Sequence, residues 1–91
     1  MESEERFLAV RLLIEVLHRT LNPAEHADVE SWIDLRNEDE GGFLWLANAM
    51  GIPPRWLDNG LRMILDATPA ERSQLRKRLL AFNNAILELQ A

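Results

Sequence analysis

Four polar residues between positions 55 and 62 carry side chains suited to reading the edges of nucleic-acid bases. Arginine can donate two hydrogen bonds to guanine, asparagine can pair with adenine, and aspartate can accept from cytosine or repel a phosphate. Their spacing places them on one side of a helix, opposite Leu57, Leu61 and Ile64. The four residues are Arg55, Asp58, Asn59 and Arg62. The same spacing also describes a solvated face with a ladder of alternating charges, so both interpretations stay open.

The other reactive side chains form no catalytic or metal-binding pattern. The chain has no cysteine, which excludes disulfides, thiolate metal sites and thiol catalysis. His18 and His26 lack the spacing of metal ligands, and the acidic stretch that begins at Asn37 lacks the glutamate that closes a calcium-binding loop. We therefore expect no enzyme activity, no cofactor, no metal site and no small-molecule substrate.

Length and composition predict one small globular domain. A chain of 91 residues has room for one hydrophobic core, and 47% hydrophobic with 27% charged residues is typical of a folded domain. No apolar run approaches the roughly 20 residues needed to span a bilayer, and the acidic start differs from a signal peptide. We expect residues 1–91 to form a single cytoplasmic domain with no membrane contact.

Apolar spacing predicts helices along almost the whole chain. Apolar residues recur at steps of three and four, and no segment alternates with the period of two that a strand shows. Pro-Ala-Glu follows both Asn22 and Thr68, which is a helix start, because the polar residue caps and the proline fits the first position. The prediction is an all-α, compact bundle of about five helices. Their approximate ranges are 4–21, 23–36, 43–50, 54–65 and 69–89.

Residues 43–62 combine features that hold two helices at a fixed angle. Ala47 permits close approach of the helices, and Gly51 permits a tight turn between them. Together with Leu46, Met50, Ile52 and Leu57, these residues resemble the helix-turn-helix motif of bacterial and phage DNA-binding proteins. Gly60 departs from that pattern, which usually has an apolar residue there.

The resemblance implies a small helix-turn-helix transcriptional regulator that binds double-stranded DNA. The 54–65 helix would enter the major groove with its polar face toward the bases, and Arg76 would lie beside the phosphates. One recognition helix buries too little surface for specific binding, so a homodimer is expected. The apolar stripe of the last helix is the predicted seam, although it could equally pack on the first helix of the same chain. This stripe contains Leu75, Leu79, Phe82, Ile86 and Leu89.

The charge distribution supports a second interpretation. The net charge is −5, and residues 1–51 carry eleven acidic residues against four arginines, whereas residues 52–91 carry six basic residues against four acidic ones. A protein that binds polyanions is usually basic throughout. Trp56 and Met63 flank a notch at Gly60, and tryptophan and methionine are favoured at protein interfaces. The alternative is an acidic, phage-type helical adaptor or inhibitor that docks on a partner protein.

Overall fold

Five α-helices and no strand make up residues 2–90, the part of the chain that the structure describes, so the all-α prediction is confirmed. The structure is a computed structural model, and its side chains are described for residues 4–82, 84, 85 and 88. The helices are α1 (Glu2–Thr20), α2 (His26–Leu35), α3 (Phe43–Met50), α4 (Pro54–Leu65) and α5 (Pro69–Gln90). The bounds of α3 and α4 coincide with the ranges expected from the sequence.

The segment before α2 forms a tighter helix than the sequence predicts. Pro23–Glu25 forms a 3₁₀ turn, in which the backbone N–H of Glu25 donates to the carbonyl of Asn22 (2.9 Å). The Asn22 side chain accepts from the N–H of Ala24 (3.2 Å) and donates to the Glu25 carboxylate (3.2 Å). The predicted cap at Asn22 is therefore present, but the α-helix itself starts at His26, three residues after the predicted start at Pro23.

The start of α5 has the reciprocal cap that its sequence predicts. The backbone N–H of Thr68 donates to the Glu71 carboxylate (3.1 Å), and the N–H of Glu71 donates to the Thr68 hydroxyl (3.2 Å). Hydrogen bonds to the Glu71 carboxylate, from the Thr68 backbone N–H first and then from the Thr68 side chain, hold the pKa of Glu71 below its ordinary value. The arrangement satisfies backbone donors that a helix start would otherwise leave free.

The acidic loop between α2 and α3 is tied to both helices. The carbonyl of Asn37 accepts from the N–H groups of Leu44 (3.0 Å) and Trp45 (3.4 Å), and so caps the start of α3. Gly42 makes this possible, because a Cβ at that position would collide with Asn37. On the α2 side, the indole N–H of Trp32 donates to the carbonyl of Gly41 (2.9 Å). The loop therefore sets the position of α3 relative to α2.

The main core lies where α1 meets α2, α3 and α4. Ile33, Phe43 and Leu46 are its largest fully buried side chains. Phe43 meets Trp32 edge to face, with ring centroids 5.6 Å apart. A smaller cluster joins α1 to α5 and contains Ile14, Leu21 and Leu79. Because α1 contacts every other helix, it is the central element around which α4 is positioned.

Candidate functional site

The turn between α3 and α4 fixes how α4 leaves the core. Gly51 ends α3 in a left-handed conformation (φ 69°), which a residue with a side chain adopts only at a cost. The N–H of Ile52 donates to the carbonyl of Ala47 (2.9 Å), and the carbonyl of Pro53 accepts from the N–H of Leu57 (3.2 Å). Gly51 and Ile52 thus form a short, hydrogen-bonded turn between the two helices.

The apolar side of α4 is packed as the sequence analysis expects. Leu57 and Leu61 are buried in the main core, and Ile64 is half-buried against the smaller cluster. Ala47 of α3 is fully buried in the same core. The four polar residues predicted on the other side of α4 separate into two pairs with different surroundings.

Asp58 and Arg62 form ion pairs with residues at the end of α2. Arg62 donates from Nε to Asp58 (2.6 Å) and from Nη2 to Asp34 (2.8 Å). Arg36 forms an ion pair with the other carboxylate oxygen of Asp58, and its guanidinium lies over the ring of Phe43, 4.6 Å from the centroid. The side chain of Asp58 is only 14% exposed. We call Asp34, Arg36, Asp58 and Arg62 the α2–α4 charge network, because they tie the two helices together.

The network shifts the pKa values of its central pair. Burial by itself raises the pKa of Asp58, but hydrogen bonds from Arg62 and Arg36, together with their positive charges, outweigh burial and hold it below its ordinary value. The hydrogen bonds to Asp58 and Asp34 raise the pKa of Arg62. A DNA base would have to compete with these bonds for either side chain.

Arg55 and Asn59 lie on the opposite flank, beside two large apolar residues. Both are exposed, as are Trp56 and Met63, at 67% and 74% of their surfaces. We call these four residues the outward face of α4. Three of them are arginine, tryptophan and methionine, the residue types enriched at protein interfaces relative to the remaining surface.

No family model, curated protein or solved structure matches the chain. The described residues contain no group of three or more histidines or acidic residues that could hold a metal ion. Among the helices of residues 2–90, none is both long and apolar enough to cross a membrane. Function therefore has to be inferred from α4 and the elements around it.

Part of the predicted dimer seam on α5 packs within the chain. Leu79 is buried against α1, and Leu75 packs on the same cluster. Phe82 is 46% exposed, at the edge of an apolar groove of about 230 Å³ between α1, α4 and α5. The side chains of Ile86 and Leu89 lie outside the described residues. For Leu75 and Leu79, the structure has the packing on α1 that the sequence left as the alternative to a dimer.

Arg76, the predicted phosphate contact, donates a hydrogen bond to the residue that follows α1. Its Nη2 donates to the backbone carbonyl of Leu21 (2.6 Å). Arg72, one turn earlier, donates to the carbonyl of Ala67 (2.8 Å). Arg62 and Arg76 are thus both held by contacts within the chain, and they form no free basic strip with Arg55.

Two members of the charge network, Asp34 and Arg36, were missed by sequence reasoning. They lie 28 and 22 residues from their partners on α4, and spacing rules apply only within one helix. The available signal was the same acid-then-base order in the two segments, which matches when they pair in reverse: Asp58 precedes Arg62 on α4. Asp34 precedes Arg36 at the end of α2, and each meets a residue of the other sign on α4.

A cleft of about 310 Å³ between α1 and α2 offers little for a ligand to bind. Its floor is apolar and includes Val29 and Trp32, and its rim carries Glu15 and Arg19. These two rim residues form an ion pair with each other (2.9 Å), and the indole N–H of Trp32 is already bonded to the loop. A ligand pocket usually presents several polar groups that converge on open space. The outward face of α4 is therefore the stronger candidate site.

Proposed function

We propose that this chain is a helical protein-binding module that docks through the outward face of α4. The observation that carries the proposal is the exposure of Trp56 and Met63 on a helix whose other side is already packed in the core. Buried tryptophans are frequent anchors of protein interfaces, and a tryptophan left mostly in water is available to become one. Neither residue adds to the buried core of the chain.

The charges of α2 and of the loop after it suggest what a partner offers. The α2 helix and the loop after it carry six exposed acidic residues, of which the charge network occupies one. The acidic residues are Asp28, Glu30, Asp34, Glu38, Asp39 and Glu40. A partner with an apolar patch bordered by basic groups would match both the outward face and this acidic surface. The proposal is thus an acidic adaptor or inhibitor that recognises a basic, apolar-centred surface.

The test is a binding experiment with matched variants. The immobilised wild-type chain and the variants Trp56→Ala and Leu80→Ala are exposed to cell extract, and any retained partner is purified and titrated against each. Leu80 is a suitable control because it is similarly exposed but lies on α5. We expect Trp56→Ala to weaken binding at least about tenfold and Leu80→Ala to leave it unchanged. Equal binding by wild type and Trp56→Ala refutes the proposal.

DNA binding is a second candidate, supported by one specific observation. Arg55 and Asn59 are both exposed on α4, which follows a glycine turn, and these residue types read guanine and adenine. The assay is a shift of duplex DNA at low salt, with Arg55→Ala as the test and Arg78→Ala as the control. The candidate requires a salt-dependent shift that Arg55→Ala weakens. Absence of any shift at low salt removes it.

A further inference from the structure

The two ends of α4 carry charges that oppose the dipole of the helix. Arg55 lies in the first turn, where a helix favours negative charge, and Asp66 caps the C-terminal end, where it favours positive charge. Both side chains are exposed. Among the ion pairs of the described residues, neither Arg55 nor Asp66 takes part in one. Their placement therefore does not serve the stability of the helix.

The same two charges lie in line with the outward face. Arg55, Asn59, Met63 and Asp66 follow each other at steps of four, four and three, which is one stripe along a helix. Trp56 lies beside this stripe. Along α4 the order is a positive charge, an aromatic residue, a short polar centre, an apolar residue and a negative charge.

This order is self-complementary about Gly60. When a second copy of α4 is turned end over end about that residue, Arg55 comes within one residue of the level of Asp66 of the second copy, and Trp56 within one residue of its Met63. Gly60 is exposed, and a Cβ added there would meet no atom of the chain, so the fold itself does not require glycine at this position. Gly60 lies beside Trp56 and Met63 on the helix surface, and the lack of a side chain there leaves room for another helix to approach.

We propose that two copies of this chain pair through α4, antiparallel and centred on Gly60, with reciprocal Arg55–Asp66 ion pairs. The proposal rests on the proposed function, because it takes the same face as an interaction surface; its charge match lies between the two ends of α4 and not with the acidic surface of α2 and its loop. A two-fold contact of this kind repeats every interaction twice. Since α4 has 12 residues and is about 18 Å long, the contact is small and the dimer is expected to be weak.

Pairing through α4 has a consequence for the other candidate functions. The dimer covers Arg55 and Asn59, so duplex DNA and a second copy compete for one face. A heterologous partner also has to displace the second copy, and a helix with the same order of charges is best suited to do so. The dimer predicted through α5 differs from this one, because it leaves α4 uncovered.

The test uses charge reversal at the two ends of α4 and sedimentation equilibrium at low salt, from micromolar to millimolar concentration. Arg55→Asp alone and Asp66→Arg alone each create two like-charge contacts in the dimer, so the dissociation constant should rise at least about tenfold. Both changes agree with the helix dipole, so the monomers remain folded, which far-UV circular dichroism verifies. An equimolar mixture of the two variants should associate again, because both contacts between unlike chains then join opposite charges.

The outcomes separate this inference from the proposed function. A wild-type chain that stays monomeric to millimolar concentration overturns the inference, and so does a dimer that neither charge reversal weakens. A mixture that fails to regain association also overturns it. The proposed function is judged independently, by whether a purified partner protein loses affinity for Trp56→Ala. A heterologous partner bound by a strictly monomeric chain would therefore retain the function and remove the dimer.

A cross-linking measurement places the contact without relying on affinity. The chain has no cysteine, so Asn59→Cys introduces a single thiol, one residue from the centre of the proposed dimer. Under mild oxidation this variant should form a disulfide dimer much faster than Ser73→Cys, whose position on α5 is also exposed. Equal rates for the two variants contradict pairing through α4.

Discussion

Besides Leu35 at the end of α2, two parts of the molecule expose large apolar side chains, and the reasons differ. On α1 and α5 the large residues Phe7, Leu8, Leu80 and Phe82 are 40–57% exposed, along two long helices that share only a small buried cluster. On α4 the exposed residues Trp56 and Met63 belong to a helix whose opposite side is part of the main core. The exposed side chains of α1 and α5 lie outside the small buried cluster that joins these two helices, whereas α4 carries apolar surface beyond what its packing uses.

The two parts also differ in how their charges are arranged. Around α4, four side chains form one connected network with α2. Between the end of α1 and α5 the polar contact among the described residues is a single hydrogen bond, from Arg76 to the carbonyl of Leu21. Exposed apolar surface on a well-fixed helix is typical of an interaction site, since its geometry is set before a partner arrives. This contrast is open to tests that change one part at a time.

The largest expected effect comes from comparing a phenylalanine of the main core, which packs against α4, with one on α5. Phe43→Ala empties a fully buried site between Trp32 and Arg36, and should lower the free energy of unfolding by about 3–5 kcal/mol. Phe82→Ala, at a half-exposed site on α5, should cost less than about 1 kcal/mol. Urea unfolding followed by circular dichroism measures both. Similar losses for the two variants would mean that the parts are equally well packed.

A medium effect is expected from the charge network, and it depends on pH. Asp58→Asn removes the carboxylate that Arg36 and Arg62 share, and should cost about 1–3 kcal/mol at neutral pH. Because the folded pKa of Asp58 lies below its ordinary value of about 3.9, the unfolded chain binds its proton first as pH falls. The wild type therefore loses this stabilisation as pH falls below about 4, and the two proteins converge.

The control for this experiment is Asp39→Asn, in the loop before α3. Asp39 is exposed and forms no ion pair among those of the described residues. Its substitution should leave stability at neutral pH within about 0.5 kcal/mol of the wild type. If Asp39→Asn and Asp58→Asn behave alike across the acidic range, the network does not stabilise the fold.

The network also indicates what sequence could and could not predict. The ranges of α3 and α4 follow from local signals, namely Gly51, the prolines after it and the spacing of Leu57 and Leu61. The same spacing placed Asp58 with the outward residues, because a helical period cannot tell which neighbouring helix lies along a flank. Its partner at the end of α2, Arg36, is 22 residues away. Contacts of that range are set by the whole fold.

The stripe on α5 shows the same limit. Leu75 and Leu79 have a spacing that suits either a second copy or a helix of the same chain. In the structure they pack on apolar residues of α1, which is distant from them in the sequence. Apolar spacing thus predicts that a face is buried, while the identity of the covering surface depends on tertiary contacts.

A smaller effect is expected from replacing the glycine before α4 and the glycine within it. The two replacements should change stability in opposite directions. Gly51→Ala forces alanine into a left-handed conformation (φ 69°) and should destabilise the chain by about 1–2 kcal/mol. Gly60→Ala lies within a helix, where its Cβ meets no other atom, and should stabilise by about 0.5–1 kcal/mol. Thermal unfolding of both variants, at a concentration where the chain is monomeric, measures the difference. A loss of stability in Gly60→Ala would show that the monomer needs this glycine.

The smallest expected effect on stability comes from changing Met63. The small size of this effect is what distinguishes the outward face from the core. Met63→Gln keeps the length of a side chain that is 74% exposed and replaces its apolar end with an amide. Because the residue buries little in the folded monomer, stability should change by less than about 0.5 kcal/mol. Leu61→Gln, two residues earlier but fully buried, should instead cost several times as much, since the amide would be buried without a partner. Chemical unfolding at low concentration gives both values, and sedimentation of the Met63 variant should show weaker self-association. A Met63→Gln variant that unfolds as readily as Leu61→Gln would place Met63 in the folding core, and the outward face would lose its claim to be an interaction surface.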